Sequence, residues 1–295
     1  MAVLDKGKWY KNKEERDLSV VDNFHLPEVI ESDRYHLYIS LACPFAHRPY
    51  LVINYLGLND AISISTVAAK RYEDGWLFDN DYPDTLNNAS SLVSLYQRAT
   101  PTYSGRVTVP ILWDKKEGNI VGNDSAYMAT DFATNWLSLA KNPVQLIPES
   151  KKAVINELNL WLHAHVNTGV YGVGFASNQV AYDNANMSLF KALDKLDNRL
   201  ADKKYLLGSD ITLSDLFLFP TLVRFEAVYE VHFKANKKTL KYFKNLYRYM
   251  LDLVSISSIR ETIDIDYIKL HYYYSHRHIN PTGIIPAGPE LHWYI

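Results

Sequence analysis

The stretch that decides the fold is Ser40-Leu41-Ala42-Cys43-Pro44-Phe45-Ala46-His47-Arg48, taken with the residues on either side of it. Before it, Tyr35–Ile39 has the short apolar pattern of a β-strand. After it, a helical pattern runs to Gly57, and glycine suits the position just past a helix end because it adopts a left-handed conformation without strain. Alternating apolar residues in Ile62–Thr66 predict a second strand.

Cys43 lies where the first strand passes into the helix, and Pro44 suits the first helical position. Cys43 is therefore expected to be the N-cap residue, with its sulfur near unpaired backbone N–H groups and the positive end of the helix dipole. Both effects lower the pKa of a thiol, and His47 and Arg48 add positive potential. A lone cysteine is more often a small buried hydrophobic residue, so it is the position that favours a reactive thiol.

The chain has one cysteine, and Ala46 occupies the position where a dithiol oxidoreductase keeps its second one. If Cys43 forms a mixed disulfide, no other thiol of this chain can resolve it. The resolving thiol must then come from solution, and glutathione is the abundant candidate.

A proline interrupts a third predicted strand, residues 107–113. Proline cannot donate to a strand ladder, so Pro110 belongs at a sheet edge or in a special turn. If the Val109–Pro110 peptide is cis, the Val109 backbone turns outward and its N–H and C=O can pair with a peptide-like ligand. An ordinary edge proline explains the same pattern, and the residues alone leave both interpretations open.

Asn123-Asp124-Ser125 opens a predicted helix after a short strand at 120–121. A carboxylate suits an ammonium group, while a hydroxyl and helix N-terminal amides suit a carboxylate. The γ-glutamyl end of glutathione carries both groups. Asp and Ser are also ordinary N-cap residues, so a plain cap is the alternative.

Residues 1–140 are predicted to form a mixed α/β domain, because strands and helices alternate along them. Residues 1–33 are polar and are expected to form a solvated N-terminal arm. Residues 68–104, rich in Asp, Asn, Tyr and Ser, are expected to be an insertion.

Residues 141–295 form the second expected domain, since a chain of 295 residues usually divides its core in two. Helical periodicity predicts an all-helical unit after a linker at 141–143. Thr212 to Asp215 has the spacing of a capping box. The Pro- and Gly-rich tail, 275–295, is apolar enough to pack down as an ordered extended segment. Helices are expected at about 149–168, 181–201, from 212 onward, and at 238–254.

Composition excludes several classes of function. Lys+Arg 31 against Asp+Glu 33 leaves a net charge of -2, so no field of one sign attracts nucleic acid or an anionic membrane. No signal peptide or apolar run of membrane-spanning length is present. One cysteine excludes an internal disulfide framework and a thiolate-rich metal cage. We therefore expect a cytoplasmic protein without a metal. The 22 tyrosines must find partners for their hydroxyls or line an aromatic pocket.

Together these features resemble one known family. Residues 40–48 are similar to the S-L-A-C-P-W-A-H-R signature of the glutathionyl-hydroquinone reductases, the Xi-class glutathione transferases. The resemblance covers nearly the whole chain from about Tyr35. Further stretches that agree are Gly75-Trp76-Leu77-Phe78, Tyr103-Ser-Gly-Arg-Val-Thr-Val-Pro110, Val170-Tyr171, Gly174-Phe175-Ala176, His271-Tyr-Tyr-Tyr-Ser-His276, Ile279-Asn-Pro-Thr-Gly-Ile284 and Pro286.

The resemblance implies a thioredoxin-like N-terminal domain, an all-helical glutathione-transferase C-terminal domain and a homodimer. It implies that the Cys43 thiolate attacks the sulfur of an aromatic glutathionyl-hydroquinone and expels the hydroquinone, after which a second glutathione releases the oxidised dimer. Glutathione is then a co-substrate. The implied catalytic residues are Cys43, Tyr171, Tyr272 and Tyr273, the last two standing for the run 272–274. The implied glutathione-binding residues are Phe45, Trp76, Arg106, Val109, Pro110, Asp124 and Ser125.

Three positions depart from the family pattern or lack an account. Phe45 stands where the family usually has Trp, Asp124 replaces the usual Glu, and Pro49 lies inside the helix after Cys43 with no functional explanation. Two alternative functions remain. Dehydroascorbate reduction or general deglutathionylation needs Cys43 and the glutathione site but not the tyrosines. A non-catalytic ligand-binding protein would keep the fold with an inert thiol.

Overall fold

The computed structural model describes residues 2–18 and 23–294. The chain divides into two compact units, residues 1–142 and 143–295. The sequence placed this boundary after residue 140.

The first unit is built on a four-stranded mixed sheet, in the order β4 (Ile62–Thr66), β3 (Tyr35–Ile39), β5 (Ile111–Asp114) and β6 (Asn119–Gly122). Strand β3 pairs in parallel with β4 and antiparallel with β5, and helix α1 (Pro44–Leu56) packs against helix α3 (Ser125–Thr134). The β3–α1–β4 unit places the start of α1 at the end of a strand that is buried along its whole length. Its elements are β1 Val3–Asp5, β2 Lys8–Tyr10, β3 Tyr35–Ile39, α1 Pro44–Leu56, β4 Ile62–Thr66, α2 Leu92–Ala99, β5 Ile111–Asp114, β6 Asn119–Gly122 and α3 Ser125–Thr134.

The N-terminal segment differs from the irregular arm that was expected. Strands β1 and β2 form a hairpin, with Lys6 and Gly7 at positive φ in its two-residue turn, as such turns require. Val3 and Leu4 are fully buried. Leu4 exchanges two backbone hydrogen bonds of 3.0 Å with Gly105. Burial of this apolar pair thus outweighs the polar character of its neighbours. Residues 19–22 of the expected arm lie outside the described residues.

Two further expectations about the first unit are corrected. The third strand begins at Ile111 and not at residue 107, because Pro110 has no N–H to contribute to the ladder. The expected insertion at 68–104 contains helix α2, which is capped by the Ser91 hydroxyl.

The second unit is helical. The predicted capping box is confirmed, since the Thr212 and Asp215 side chains each bond to the other residue's backbone. Helix α7, Leu213–Leu222, is buried on all sides, so the unit packs around it. The elements are α4 Lys152–Leu162, a π-helical turn His163–Asn167, α5 Gly169–Gly174, α6 Gln179–Arg199, α7 Leu213–Leu222, a second π-helical turn Phe225–Tyr229, α8 Lys244–Val254, α9 Ser257–Arg260 and α10 Ile265–Ser275.

The C-terminal tail lies against its own unit in an extended form. The Lys269 ammonium donates to the Ala287 and Gly288 carbonyls, at 3.1 and 3.2 Å. The Trp293 indole N–H donates to the Glu226 carboxylate at 3.0 Å. These bonds give the polar groups of the tail partners without regular secondary structure.

Candidate active site

Cys43 is the N-cap of α1, as its position predicted, and Pro44 is the first helical residue. Its sulfur accepts a hydrogen bond from the Ala46 N–H at 3.4 Å. The side chain is partly exposed, so reagents can reach it. The sulfur also lies 3.9 Å from the Val109 carbonyl oxygen, to which the protonated thiol donates. An N-terminal amide that donates to the sulfur favours the thiolate.

Two guanidinium groups, of the buried Arg48 and the partly buried Arg71, lie close enough to this sulfur to interact with it electrostatically. Burial lowers the pKa of Arg48 to about 10, and the charges of Cys43 and Asp124 oppose that shift. Burial, with help from Arg106, also lowers the pKa of Arg71, and Cys43 again opposes the shift. Since a pKa near 10 leaves a guanidinium charged at neutral pH, Arg48 adds positive potential at the thiol.

The sequence drew attention to Arg48 but missed Arg71. Arg71 lies in the irregular part of the 68–104 segment, where no period or cap marks it. The Arg71 Cζ lies 5.2 Å from the centre of the Trp76 ring, and the Arg48 Cζ lies 4.9 Å from the centre of the Phe45 ring. Each cation therefore packs on an aromatic ring that was expected to bind glutathione.

The Val109–Pro110 peptide is cis, and both residues are buried. The preceding Thr108 pairs with the Tyr96 hydroxyl, which donates to the Thr108 carbonyl at 3.1 Å. The Val109 N–H has no acceptor among the residues that the structure describes. Its backbone donor therefore stays available to an extended peptide-like ligand.

Asp124 is the N-cap of α3, so the capping interpretation is confirmed. Its Oδ1 accepts from the Ala126 and Tyr127 N–H groups, at 2.8 and 2.9 Å. Its Oδ2 accepts from no described residue, and the side chain is exposed. Ser125, the first residue of α3, is partly exposed. One carboxylate can therefore cap the helix and bind an ammonium group at once, while the Ser125 hydroxyl suits a carboxylate.

A groove of about 860 Å³ on the first unit brings Arg106 and Asp124 together. Phe24, Tyr103 and Tyr127 also line it. Its lining does not include the other predicted residues of this unit, which are Cys43, Phe45, Trp76, Val109, Pro110 and Ser125. Arg106 and Asp124 thus share this groove, whereas the Val109 carbonyl lies beside the Cys43 sulfur.

In the second unit, the predicted tyrosines differ in their hydrogen-bond partners. The Tyr171 and Tyr272 hydroxyl oxygens are 2.6 Å apart. Tyr229, which sequence reasoning missed, places its hydroxyl 3.2 Å from that of Tyr272. The Tyr273 hydroxyl donates instead to the Ala227 carbonyl at 3.3 Å. We call Tyr171, Tyr229 and Tyr272 the phenol cluster.

Burial keeps Tyr229 and Tyr272 protonated at neutral pH. Burial raises the pKa of Tyr229 and of Tyr272 well above the ordinary value of 10.0, and burial raises the pKa of Tyr273 to about 12. Tyr229 is fully buried and Tyr272 nearly so, whereas Tyr171 is partly exposed. The cluster can therefore donate hydrogen bonds to an oxygen that gains negative charge.

Residues 2–18 and 23–294 contain no group of three or more His, Cys, Asp or Glu side chains arranged to hold a metal ion. Over the same residues, every helix is too short or too polar to span a bilayer.

Comparisons with known proteins agree with this geometry. Residues 42–135 match the glutathione S-transferase N-terminal domain family, and residues 179–274 match the corresponding C-terminal domain family. The chain is 44% identical over 265 residues to glutathionyl-hydroquinone reductase YqjG of Escherichia coli, which covers 88% of this chain and 81% of that protein. It is 41% identical to glutathionyl-hydroquinone reductase PcpF of Sphingobium chlorophenolicum, over 88% of this chain and 84% of that protein.

Solved structures give the same answer. A Xi-class glutathione transferase from Natrialba magadii superposes with a TM-score of 0.95 at 38% identity, over 100% of this chain and 95% of its own. The glutathione-bound structure of E. coli YqjG gives 0.91 at 40% identity, over 99% and 97%. The fold is accordingly a thioredoxin-like domain followed by a helical glutathione-transferase domain. Identities of this size over nearly the full length place the chain in the glutathionyl-hydroquinone reductase family, the Xi class of glutathione transferases.

Proposed function

We propose that this protein reduces aromatic glutathionyl-hydroquinones to hydroquinones at the expense of glutathione. The observation that carries the proposal is the Cys43 sulfur, partly exposed and capped by the Ala46 N–H in a chain with no second cysteine. Such a thiol is activated but depends on an external thiol for its release. The relatives named above as glutathionyl-hydroquinone reductases indicate the substrate class.

The reaction has two sulfur-exchange steps. In the first, the Cys43 thiolate attacks the glutathione sulfur of the conjugate. The conjugate reacts as its keto tautomer, in which the ring carbon that bears the sulfur has taken up a proton and a ring hydroxyl has lost one. An S–S bond forms, the C–S bond breaks, and its electron pair moves through the ring to the carbonyl oxygen, which leaves as a phenolate and takes up a proton. In the second step, a glutathione thiolate attacks the mixed disulfide, which regenerates Cys43 and yields oxidised glutathione. One conjugate and one glutathione thus become one hydroquinone and one oxidised glutathione.

We assign the binding of glutathione to the first unit. The Val109 backbone N–H suits the peptide portion of glutathione, and Asp124 with Ser125 suits its ammonium and carboxylate ends. Trp76, Phe45 and Pro110 would supply apolar contact, and Arg106 a cation. Asp124 and Arg106 line the same groove, which supports a shared role in binding glutathione.

We assign stabilisation of the leaving oxygen to the tyrosines of the second unit. The Tyr171 and Tyr272 hydroxyls already bond to each other, and burial raises the pKa of Tyr272 well above 10.0, which supports their role as donors. We assign Tyr273 no donor role beyond its position beside Tyr272, because its hydroxyl donates to the Ala227 carbonyl.

The test is turnover of glutathionyl-menadiol with excess glutathione, on the native chain and on Cys43→Ala. We expect free menadiol and one oxidised glutathione per turnover, and no activity in the variant. If the native chain reduces dehydroascorbate or a mixed disulfide but none of several hydroquinone conjugates, only the thiol chemistry survives. Inactivity with every one of these substrates would support a binding protein instead.

We further propose a cytoplasmic homodimer. A single reactive cysteine without a disulfide partner suits a reducing compartment, and the dimer follows from the family resemblance. Light scattering on the purified chain tests the dimer, since a monomeric mass at micromolar concentration would contradict it. Fractionation of cells that express the chain tests the location.

A further inference from the structure

Tyr229 carries a polar hydroxyl group in surroundings that consist largely of aromatic rings. Its side chain is fully buried on the second π-helical turn. Its ring stacks on Phe233 with 5.2 Å between centres and meets the Tyr272 ring edge-on at 5.8 Å. Burial of a hydroxyl costs free energy unless the hydroxyl is hydrogen-bonded, and phenylalanine would fill the same space without that cost. The hydroxyl meets this cost through its hydrogen bonds within the phenol cluster, to Tyr272 at 3.2 Å and to Tyr171.

The π-helical turn also joins Tyr229 to a buried cation. The Tyr229 N–H donates to the Arg224 carbonyl at 3.2 Å, so the two residues are one wide turn apart. Arg224 is fully buried, and its guanidinium donates to the Pro220 carbonyl at 2.7 Å. Although burial raises the pKa of Tyr229 and of Tyr272, the Arg224 charge opposes the rise in both. Single π-helical turns are frequent at functional sites.

We propose that Tyr229 is a positioning residue, whose hydroxyl donates to Tyr272 and, with the Arg224 charge, strengthens the hydrogen bonds that the phenol cluster donates to the leaving hydroquinone oxygen as this oxygen gains negative charge. This inference rests on the proposed function. The tyrosines keep their protons as they donate to the leaving oxygen, which then takes up a proton from solvent. No electrons move through Tyr229.

The variant that tests this is Tyr229→Phe, which keeps the ring and removes only the hydroxyl. We expect kcat to fall about tenfold on glutathionyl-hydroquinones that leave as basic phenolates, since loss of one donor to a developing oxyanion costs rate. The loss should shrink with chlorinated conjugates, whose phenolates need less stabilisation. KM should change little, and the rate at which oxidised glutathione converts Cys43 to its mixed disulfide should stay the same.

Tyr249→Phe is the matched structural control. Tyr249 is also a fully buried tyrosine of the second unit, and its hydroxyl donates to the Asp215 carboxylate at 2.9 Å and not to the phenol cluster. Both variants lose one buried hydrogen bond. Only Tyr229→Phe should change the dependence of rate on the leaving group. An equal loss on all substrates, or the same pattern in the control, overturns the proposal.

A measurement without turnover separates this inference from the proposed function. A nitrophenol bound to the Cys43→Ala chain reports its own ionisation by absorbance. We expect its bound pKa to rise by about 1 unit when Tyr229→Phe is added, because its phenolate then loses stabilisation. If the pKa of the bound nitrophenol shifts but the native chain shows no turnover, the proposed function is refuted and the role of the phenol cluster is supported. Turnover with no shift would refute the role of Tyr229.

Discussion

The Tyr171 and Tyr272 hydroxyl oxygens are 2.6 Å apart although 101 residues separate them in the chain. Helices α5 and α10 bring them together, and Tyr229 completes the cluster at 3.2 Å from Tyr272. The neighbouring Tyr273 is turned about 100° around α10, as helix geometry requires, and its hydroxyl reaches the Ala227 carbonyl. Of the adjacent tyrosines 272 and 273, the structure therefore joins only Tyr272 to Tyr171.

This pairing predicts unequal effects of two adjacent substitutions. Tyr272→Phe removes a donor from the phenol cluster and should lower kcat on glutathionyl-menadiol about a hundredfold. Tyr273→Phe should lower kcat by no more than about tenfold, because only a bond to a backbone carbonyl is lost. Steady-state kinetics on both variants measure this. If Tyr273→Phe has the larger effect, the assignment of Tyr272 is wrong.

The Cys43 sulfur is expected to titrate below the ordinary thiol value of about 8.5, because the α1 amides and buried cations favour its thiolate. Thiolate absorbance against pH measures this directly, and the single cysteine makes the signal unambiguous. A value at or above about 8.5 would indicate an inert thiol and support the binding-protein alternative.

Arg71→Leu is expected to raise the pKa of Cys43 by about 1 unit, because it removes a positive charge that interacts with the sulfur. The same absorbance titration measures the shift, and a thermal melt confirms that the variant is folded. The control is Arg260→Leu, at an exposed arginine of the second unit. Equal values in the native chain and in Arg71→Leu would show that this charge does not act on the thiol.

Asp124→Asn separates helix capping from ligand binding. Asparagine caps helices about as well as aspartate, so the free energy of unfolding should change by less than about 0.5 kcal/mol. The lost charge should weaken glutathione binding by about 10- to 100-fold, the usual worth of a hydrogen bond to a charged group. Calorimetric titration on a Cys43→Ser background measures the affinity.

An analogue supplies the control for Asp124. Glutathione without its α-amino group has no ammonium for the carboxylate to bind. Both the parent and the Asp124→Asn chain should therefore bind it with similar affinity. If the variant also loses affinity for this analogue, Asp124 acts on something other than the ammonium.

His36 predicts a loss of stability in acid. Burial lowers its pKa to about 4 from the ordinary 6.5, and its Nδ1 lies 2.7 Å from the Ser63 hydroxyl. Between these two values the unfolded chain binds more protons than the folded one. The contribution of neutral His36 to the free energy of unfolding is therefore complete above pH 6.5 and is lost as the pH falls towards 4.

Urea unfolding of the native chain and of His36→Gln at about pH 7 and pH 5 tests this. The decrease in unfolding free energy between the two conditions should be about 2 kcal/mol smaller in the variant. His292→Gln, at an exposed histidine, is the control and should behave as the native chain. An unchanged decrease in His36→Gln would mean that His36 does not titrate in this way.

Local patterns predicted the local features of this protein well. Pro44 beside Cys43 marked the start of α1, Gly57 marked its end, and the spacing from Thr212 to Asp215 marked the capping box. Each of these depends on backbone groups within one turn of chain, so the residues nearby carry the information. The motif at 40–48 also indicated the family, which the comparisons confirmed.

What the sequence could not supply were contacts between distant segments. The pairing of β1 with Gly105, the position of Arg71 near the Cys43 sulfur and the inclusion of Tyr229 in the phenol cluster have no local signature. Arg71 and Tyr229 are a polar and an aromatic residue at positions where many other residues would satisfy the local pattern. Cys43 and its helix cap were determined by the sequence alone, because an N-cap is closed within four residues. Its second cation partner, Arg71, and the choice of Tyr272 over Tyr273 were decided by tertiary packing, since only the folded chain brings that charge and those hydroxyls within Coulombic or hydrogen-bonding range.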